Sequence, residues 1–154
     1  MTTEQNRVPR RDRGVVRHRA TTYGKSVENI PLTVCLPDGG RADILILASI
    51  HGDEAETTVA VSEALRCLRA GDLRAAVILC GNPDGMLRGT RGNARGVDLN
   101  RNFPTANWKP EPVFYKTRAN DARDIALSPG TEPSSEPETK ALLALIQRVH
   151  PRAV

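Results

Sequence analysis

A chain of 154 residues, 39% hydrophobic and 26% charged, suits one globular domain and contains no apolar run near the roughly 20 residues of a membrane span. Cys35, Cys67 and Cys80 have neither the even count of a disulfide framework nor metal-type spacing, so they read as reduced thiols of a cytoplasmic protein. The net charge of +4 is carried by residues 1–20, whose six arginines outnumber Glu4 and Asp12, while the rest of the chain sums to zero.

Residues 1–20 therefore read as a basic, disordered arm, and residues 21–154 as the domain. The arm has no apolar segment behind it, so no secretory signal is expected. No aromatic residue lies among its arginines to stack on bases, and neither nucleic acid nor membrane is expected as a partner.

Tyr23-Gly24-Lys25-Ser26 reads as a turn, and residues 31–36 as a short strand closed by Pro37-Asp38-Gly39-Gly40. Residues 42–50 form a nearly continuous apolar run, as expected of a strand buried on both faces. Residues 54–70 have helical spacing at Val59, Leu65 and Leu68, acids in the first turn, arginines in the last, and Gly71 placed to cap the end. Residues 75–80 are a second buried strand, so the order strand, helix, strand predicts a parallel βαβ unit.

From 81 to 134 regular periodicity disappears, and a long irregular stretch inside a domain usually builds a site. A last helix is expected from Ser135, where Ser135 and Glu138 have capping-box spacing, to Pro151, with Ala153-Val154 opening another strand.

His51-Gly52-Asp53-Glu54 leaves the first buried strand and enters the helix, at the strand edge where α/β sites form. A histidine and a carboxylate three apart can point at one metal, and imidazole nitrogen with carboxylate oxygen suits zinc. Alone, the same four residues fit a capping carboxylate beside a surface histidine. Asn82-Pro83-Asp84-Gly85 follows the second strand at the same sheet edge. Beyond it, Asn100 and Arg101 together offer a grip on a carboxylate, and Arg91, or else Arg88, can point at a scissile carbonyl. A solvated basic loop would carry the same residues.

Taken in order, His51-Gly52-Asp53-Glu54, Asn82-Pro83-Asp84-Gly85 and Gly96-Val97-Asp98-Leu99-Asn100-Arg101-Asn102-Phe103-Pro104 resemble the zinc carboxypeptidase family, and the resemblance runs from about Tyr23 to the last residue. It implies a three-layer α/β/α fold with a mixed, mainly parallel sheet. It also implies zinc, one ion per chain, with His51 and Glu54 as the first two ligands. By the same resemblance Arg91, or Arg88, steadies the oxyanion, while Asn100 and Arg101 bind the free carboxylate of the substrate. Tyr23-Gly24-Lys25-Ser26, the run from Asn100 to Trp108, and Ser135-Glu136-Pro137-Glu138-Thr139 are most similar to members that cut the γ-D-glutamyl–meso-diaminopimelate bond of murein peptides in the cytoplasm.

The family pattern further requires a third ligand, a histidine in a Ser-x-His turn ending the next strand, and a later glutamate base. Neither occurs in these 154 residues. His150 and His18 are poor substitutes, one at the wrong end of the coming strand and the other in the arm. The alternative expectation is a truncated portion of such an enzyme, inactive and poorly stable alone, with zinc weakly held.

Overall fold

Adjacent residues of two short strands send their side chains into different cores, and this alternation sets the layers. The computed structural model describes residues 7–116 and 125–154. Its main sheet has the order β1 (Ala20–Lys25), β2 (Pro31–Cys35), β4 (Ala76–Ile78), β3 (Leu45–Leu47). Val34 and Ile78 pack with Leu45 and with Leu142, Leu145 and Val149 of helix α3 (Pro137–Val149). Cys35 and Val77 turn the other way, onto Leu65 of helix α1 (Ala55–Cys67). Helices thus cover both faces of the sheet, in three layers.

The sheet is mixed. β1 pairs antiparallel with β2, and β2 with β4, whereas β3 and β4 run parallel through α1 as the βαβ reading requires. Ile44 makes an isolated parallel bridge to Ala153, beside β3. A two-stranded antiparallel hairpin, β5 (Val113–Tyr115) with β6 (Ile125–Leu127), stands apart.

Several local expectations are corrected. Tyr23, Gly24 and Lys25 belong to β1 rather than to a turn; a Cβ on Gly24 would lie 2.4 Å from that of Ala141, so the glycine admits α3 against the strand. The capping box of α3 does not form. Glu136 is its N-cap, Ser135 donates to the Glu136 carboxylate, and Glu138 accepts from the backbone N–H of Val27, so tertiary partners claim both side chains. α1 ends at Cys67, four residues before Gly71, because its C-cap Leu68 turns extended and packs on the cluster around Leu65. Residues 81–134 are not wholly irregular: they hold α2 (Pro83–Arg88), a 3-10 turn at Leu99–Arg101, and the hairpin. Segments this short carry too few residues to show a period.

Within the described part of the expected arm, Val8 is 4% exposed, its N–H donates to the carbonyl of Cys67, and Arg10–Asp12 form a 3-10 turn. The cysteines are free, with Cys35 buried and Cys67 and Cys80 half-buried. Among the described residues no helix is long and apolar enough to cross a membrane.

Candidate metal centre

The site begins where β3 runs out. Ser49 takes a left-handed φ of 45°, and its N–H donates to the Thr57 hydroxyl while its own hydroxyl donates to the Glu54 carbonyl. The loop 49–54 is thereby tied to the first turn of α1. Gly52 permits the next contact: its N–H donates to the carbonyl of Arg91 at 3.3 Å, and a Cβ there would lie 2.1 Å from the Gly85 carbonyl carbon. The metal-type loop and the start of the 91–104 loop are pressed together.

Asn82 completes that junction. It caps α2 by accepting from Gly85 N–H, with Pro83 in the first turn, and its amide donates to the Arg91 carbonyl. Asp84 is fully buried and accepts from the Ser26 hydroxyl and the Glu28 N–H. The Asn-Pro-Asp-Gly segment therefore supports the site rather than lining it.

Four side chains close a ring. His51 Nδ1 lies 3.0 Å from Glu54 Oε1, and His51 Nε2 lies 3.3 Å from Asp98 Oδ1. Arg91 spans the other side, with Nη1 3.0 Å from Glu54 Oε1 and Nε 3.5 Å from Asp98 Oδ2. The Arg91 guanidinium also lies 5.2 Å from the ring centre of Tyr115. His51 and Asp98 are buried, whereas the Glu54 side chain is 39% exposed.

The electrostatics follow. Burial disfavours the charged imidazole, but hydrogen bonds to Asp98 and Glu54 outweigh it and hold the His51 pKa above its ordinary value. Burial likewise opposes the Glu54 and Asp98 carboxylates; contact with His51 and with Arg91 wins, and both sit below the usual range.

Imidazole nitrogen and carboxylate oxygen are donor types that zinc takes. With Nε2 turned to a buried carboxylate, the ring keeps Nδ1 as its free nitrogen, on the same side as Glu54 Oε1. Glu54 is the N-cap residue of α1 by position, yet its side chain caps nothing. The capping reading fails, and the carboxylate is left to face the histidine. Among the described residues, however, no group of three or more His, Cys, Asp or Glu side chains could hold a metal.

Arg91 is brought to the pair and Arg88 is not: Arg88 bonds the exposed Glu28. Asn100 and Arg101, on the 3-10 turn that follows Asp98, line a cleft of about 670 Å³ with Phe103, Trp108 and Val113. His51, Glu54 and Arg91 are not among its walls, so the short segment from Asp98 to Arg101 links cleft and metal-type pair. Sequence reasoning missed Asp98 and Tyr115. Asp98 stood inside a quoted motif, and the need of a ligating histidine for a carboxylate partner was the available signal. Nothing in the sequence marked Tyr115.

The zinc carboxypeptidase profile matches residues 16–154. The chain is 48% identical over 145 residues to murein peptide amidase A of Escherichia coli strain K12, which covers 93% of the chain and 60% of that relative. It is 40% identical over 151 residues to murein peptide amidase A of Vibrio campbellii, covering 96% of the chain and 60% of that relative. The crystal structure of a murein-tripeptide amidase from Escherichia coli O157 superposes with a TM-score of 0.88 at 43% identity, covering 98% of the chain and 63% of that structure. The chain thus spans about 60% of the length of the curated relatives it matches.

Proposed function

Given that the chain belongs to the zinc carboxypeptidase family, we propose that the protein carrying it is a zinc-dependent cytoplasmic amidase that hydrolyses the γ-D-glutamyl–meso-diaminopimelate bond of murein peptides. The observation that carries this reading is the convergence of His51 Nδ1 and Glu54 Oε1 with Nε2 anchored on Asp98.

His51 and Glu54 hold the ion, and Asp98 fixes the tautomer and the tilt of the imidazole. Zinc, when bound, supplies Lewis acidity and a water with a pKa lowered to roughly 7. Arg91 turns from Glu54 toward the scissile carbonyl and donates to its oxygen as negative charge develops, an interaction strongest in the transition state. Asn100 and Arg101 take the free carboxylate of the peptide from the cleft wall, the guanidinium in bidentate fashion.

A second reading concerns the 154 residues alone. Two protein ligands hold zinc less firmly than the three of catalytic sites, and no further ligand joins His51 and Glu54 among the described residues. In isolation these residues are read as a zinc-poor, inactive portion of the enzyme. Zinc content and hydrolysis of L-alanyl-γ-D-glutamyl-meso-diaminopimelate by the purified chain separate the two. Stoichiometric zinc with turnover supports the first reading for the chain itself and removes the second; no zinc and no turnover leaves the second standing.

A further inference from the structure

The Ser135-Glu136-Pro137-Glu138-Thr139 segment has no part in the site described above, yet two of its carboxylates are almost completely buried, Glu136 at 3% and Glu138 at 2% exposure. Both reach across to one side chain, Asn93. The Asn93 amide nitrogen lies 2.8 Å from Glu136 Oε2 and 3.2 Å from Glu138 Oε2, so both of its protons are engaged. The amide oxygen accepts from the N–H groups of Arg95 at 3.0 Å and Val97 at 3.1 Å. Asn93 N–H donates to the Val97 carbonyl, and its own carbonyl accepts from Gly96. Asn93 is 3% exposed with its side-chain hydrogen bonding complete.

This amide knots residues 93–97 into a closed turn and fastens the turn to the start of α3. Arg91 lies two residues before Asn93, and Asp98 lies one residue after Val97. These are the two loop residues that flank His51 and Glu54. We infer that Asn93, gripped by Glu136 and Glu138, is a positioning residue that sets Arg91 and Asp98 on either side of the metal-type pair. The inference rests on the zinc-amidase reading. Asn100 and Arg101 hang on Asp98, which accepts from the Asn100 N–H at 2.9 Å, but have a second anchor: Asn102 donates to the Pro129 carbonyl, the Glu132 carbonyl and the Ser135 hydroxyl, and accepts from the Glu136 N–H. Disturbing Asn93 is thus expected to act on turnover more than on substrate capture.

The test exchanges donor and acceptor. Asn93→Asp keeps the oxygen that holds Arg95 and Val97 but sets a carboxylate against two others. Adding Glu136→Gln returns a donor, from the opposite side. In the protein carrying this chain, with the murein tripeptide as substrate, N93D is expected to lower kcat about 100-fold with KM little changed, the scale of an ångström-sized misplacement. N93D/E136Q is expected to regain most of that loss. Wild-type kcat in N93D overturns the inference, as does a folded double variant no better than the single, or a double variant that does not fold. Amide exchange at Val97 in metal-free protein reads the same knot without catalysis. Protection lost in N93D and regained in the double variant supports the inference even if the wild type proves to have no amidase activity, which would sink the functional reading alone; protection unchanged in N93D overturns the knot.

Discussion

Asp98 Oδ1 lies 3.3 Å from Nε2 of His51, on the side of the ring opposite Glu54, and both residues are buried. A buried carboxylate behind a ligating imidazole fixes which nitrogen is free, and losing such a partner typically costs 10–100-fold in metal affinity. Asp98→Ala should lower zinc affinity by about that factor in competition with a chromogenic chelator. Asp98→Asn, which can still accept from the ring, should lose less. Equal affinity in all three proteins would remove Asp98 from the site.

The two candidate arginines have different surroundings. Arg91 contacts Glu54, Asp98 and the Tyr115 ring, whereas Arg88 pairs with Glu28 at the surface. Arg91→Ala is expected to reduce kcat by about 10²–10³, the usual cost of one oxyanion donor. Arg88→Ala is expected to leave kcat near the wild-type value, since exposed ion pairs contribute little. Steady-state kinetics on the tripeptide decide it, and the reverse ranking would exchange the two roles.

Gly52 offers a packing test. A methyl group there meets backbone of Gly85, Met86 and Thr90 at 2.1–2.5 Å, atoms that no side-chain rotation can clear. Gly52→Ala should part the metal-type loop from α2, lowering both zinc affinity and the unfolding temperature. Gly14→Ala, with nothing within 4 Å of the added carbon, serves as the control and should change neither. Retained zinc affinity in Gly52→Ala would mean that the two loops are free to separate.

Glu138 links stability to pH. Burial, reinforced by Asp84, raises its pKa in the fold above the ordinary glutamate value, against the hydrogen bonds it accepts. A group raised on folding contributes fully below its unfolded-state pKa, about 4.3, and loses that contribution as pH rises through the folded value. Glu138→Gln cannot titrate. The stability difference between variant and wild type should therefore drift in favour of the variant as pH rises above about 4.3, read by urea unfolding along a pH series. A difference independent of pH would mean that Glu138 titrates normally.

The order of the βαβ unit was legible because apolar runs and helical spacing are local patterns, and α1 and α3 fall inside the segments expected for them. Of the run 42–50, however, only Leu45–Leu47 is strand, and Ile44 and Ile46 are exposed where burial on both faces was expected. The ends of the helices were less legible. Ser135 and Glu138 carried the spacing of a cap, but Asn102 and Val27, distant in sequence, took their hydrogen bonds. Between 81 and 134 the elements among the described residues are three to six residues long, too short for periodicity to register.

The sequence by itself singled out the candidates: His51 and Glu54 at a strand end, a choice between Arg91 and Arg88, and the Asn100–Arg101 pair, because residue types in ordered motifs are local and carry the resemblance to the family. Tertiary structure alone decided that Arg91 rather than Arg88 faces the pair, that Asp98 stands behind His51, and that Asn93 hangs the loop on α3. Each of those contacts spans between 37 and 47 residues of sequence. No local pattern encodes such a meeting; it exists only once the two cores have packed α1 and α3 on opposite faces of the sheet and brought the loop ends to one edge.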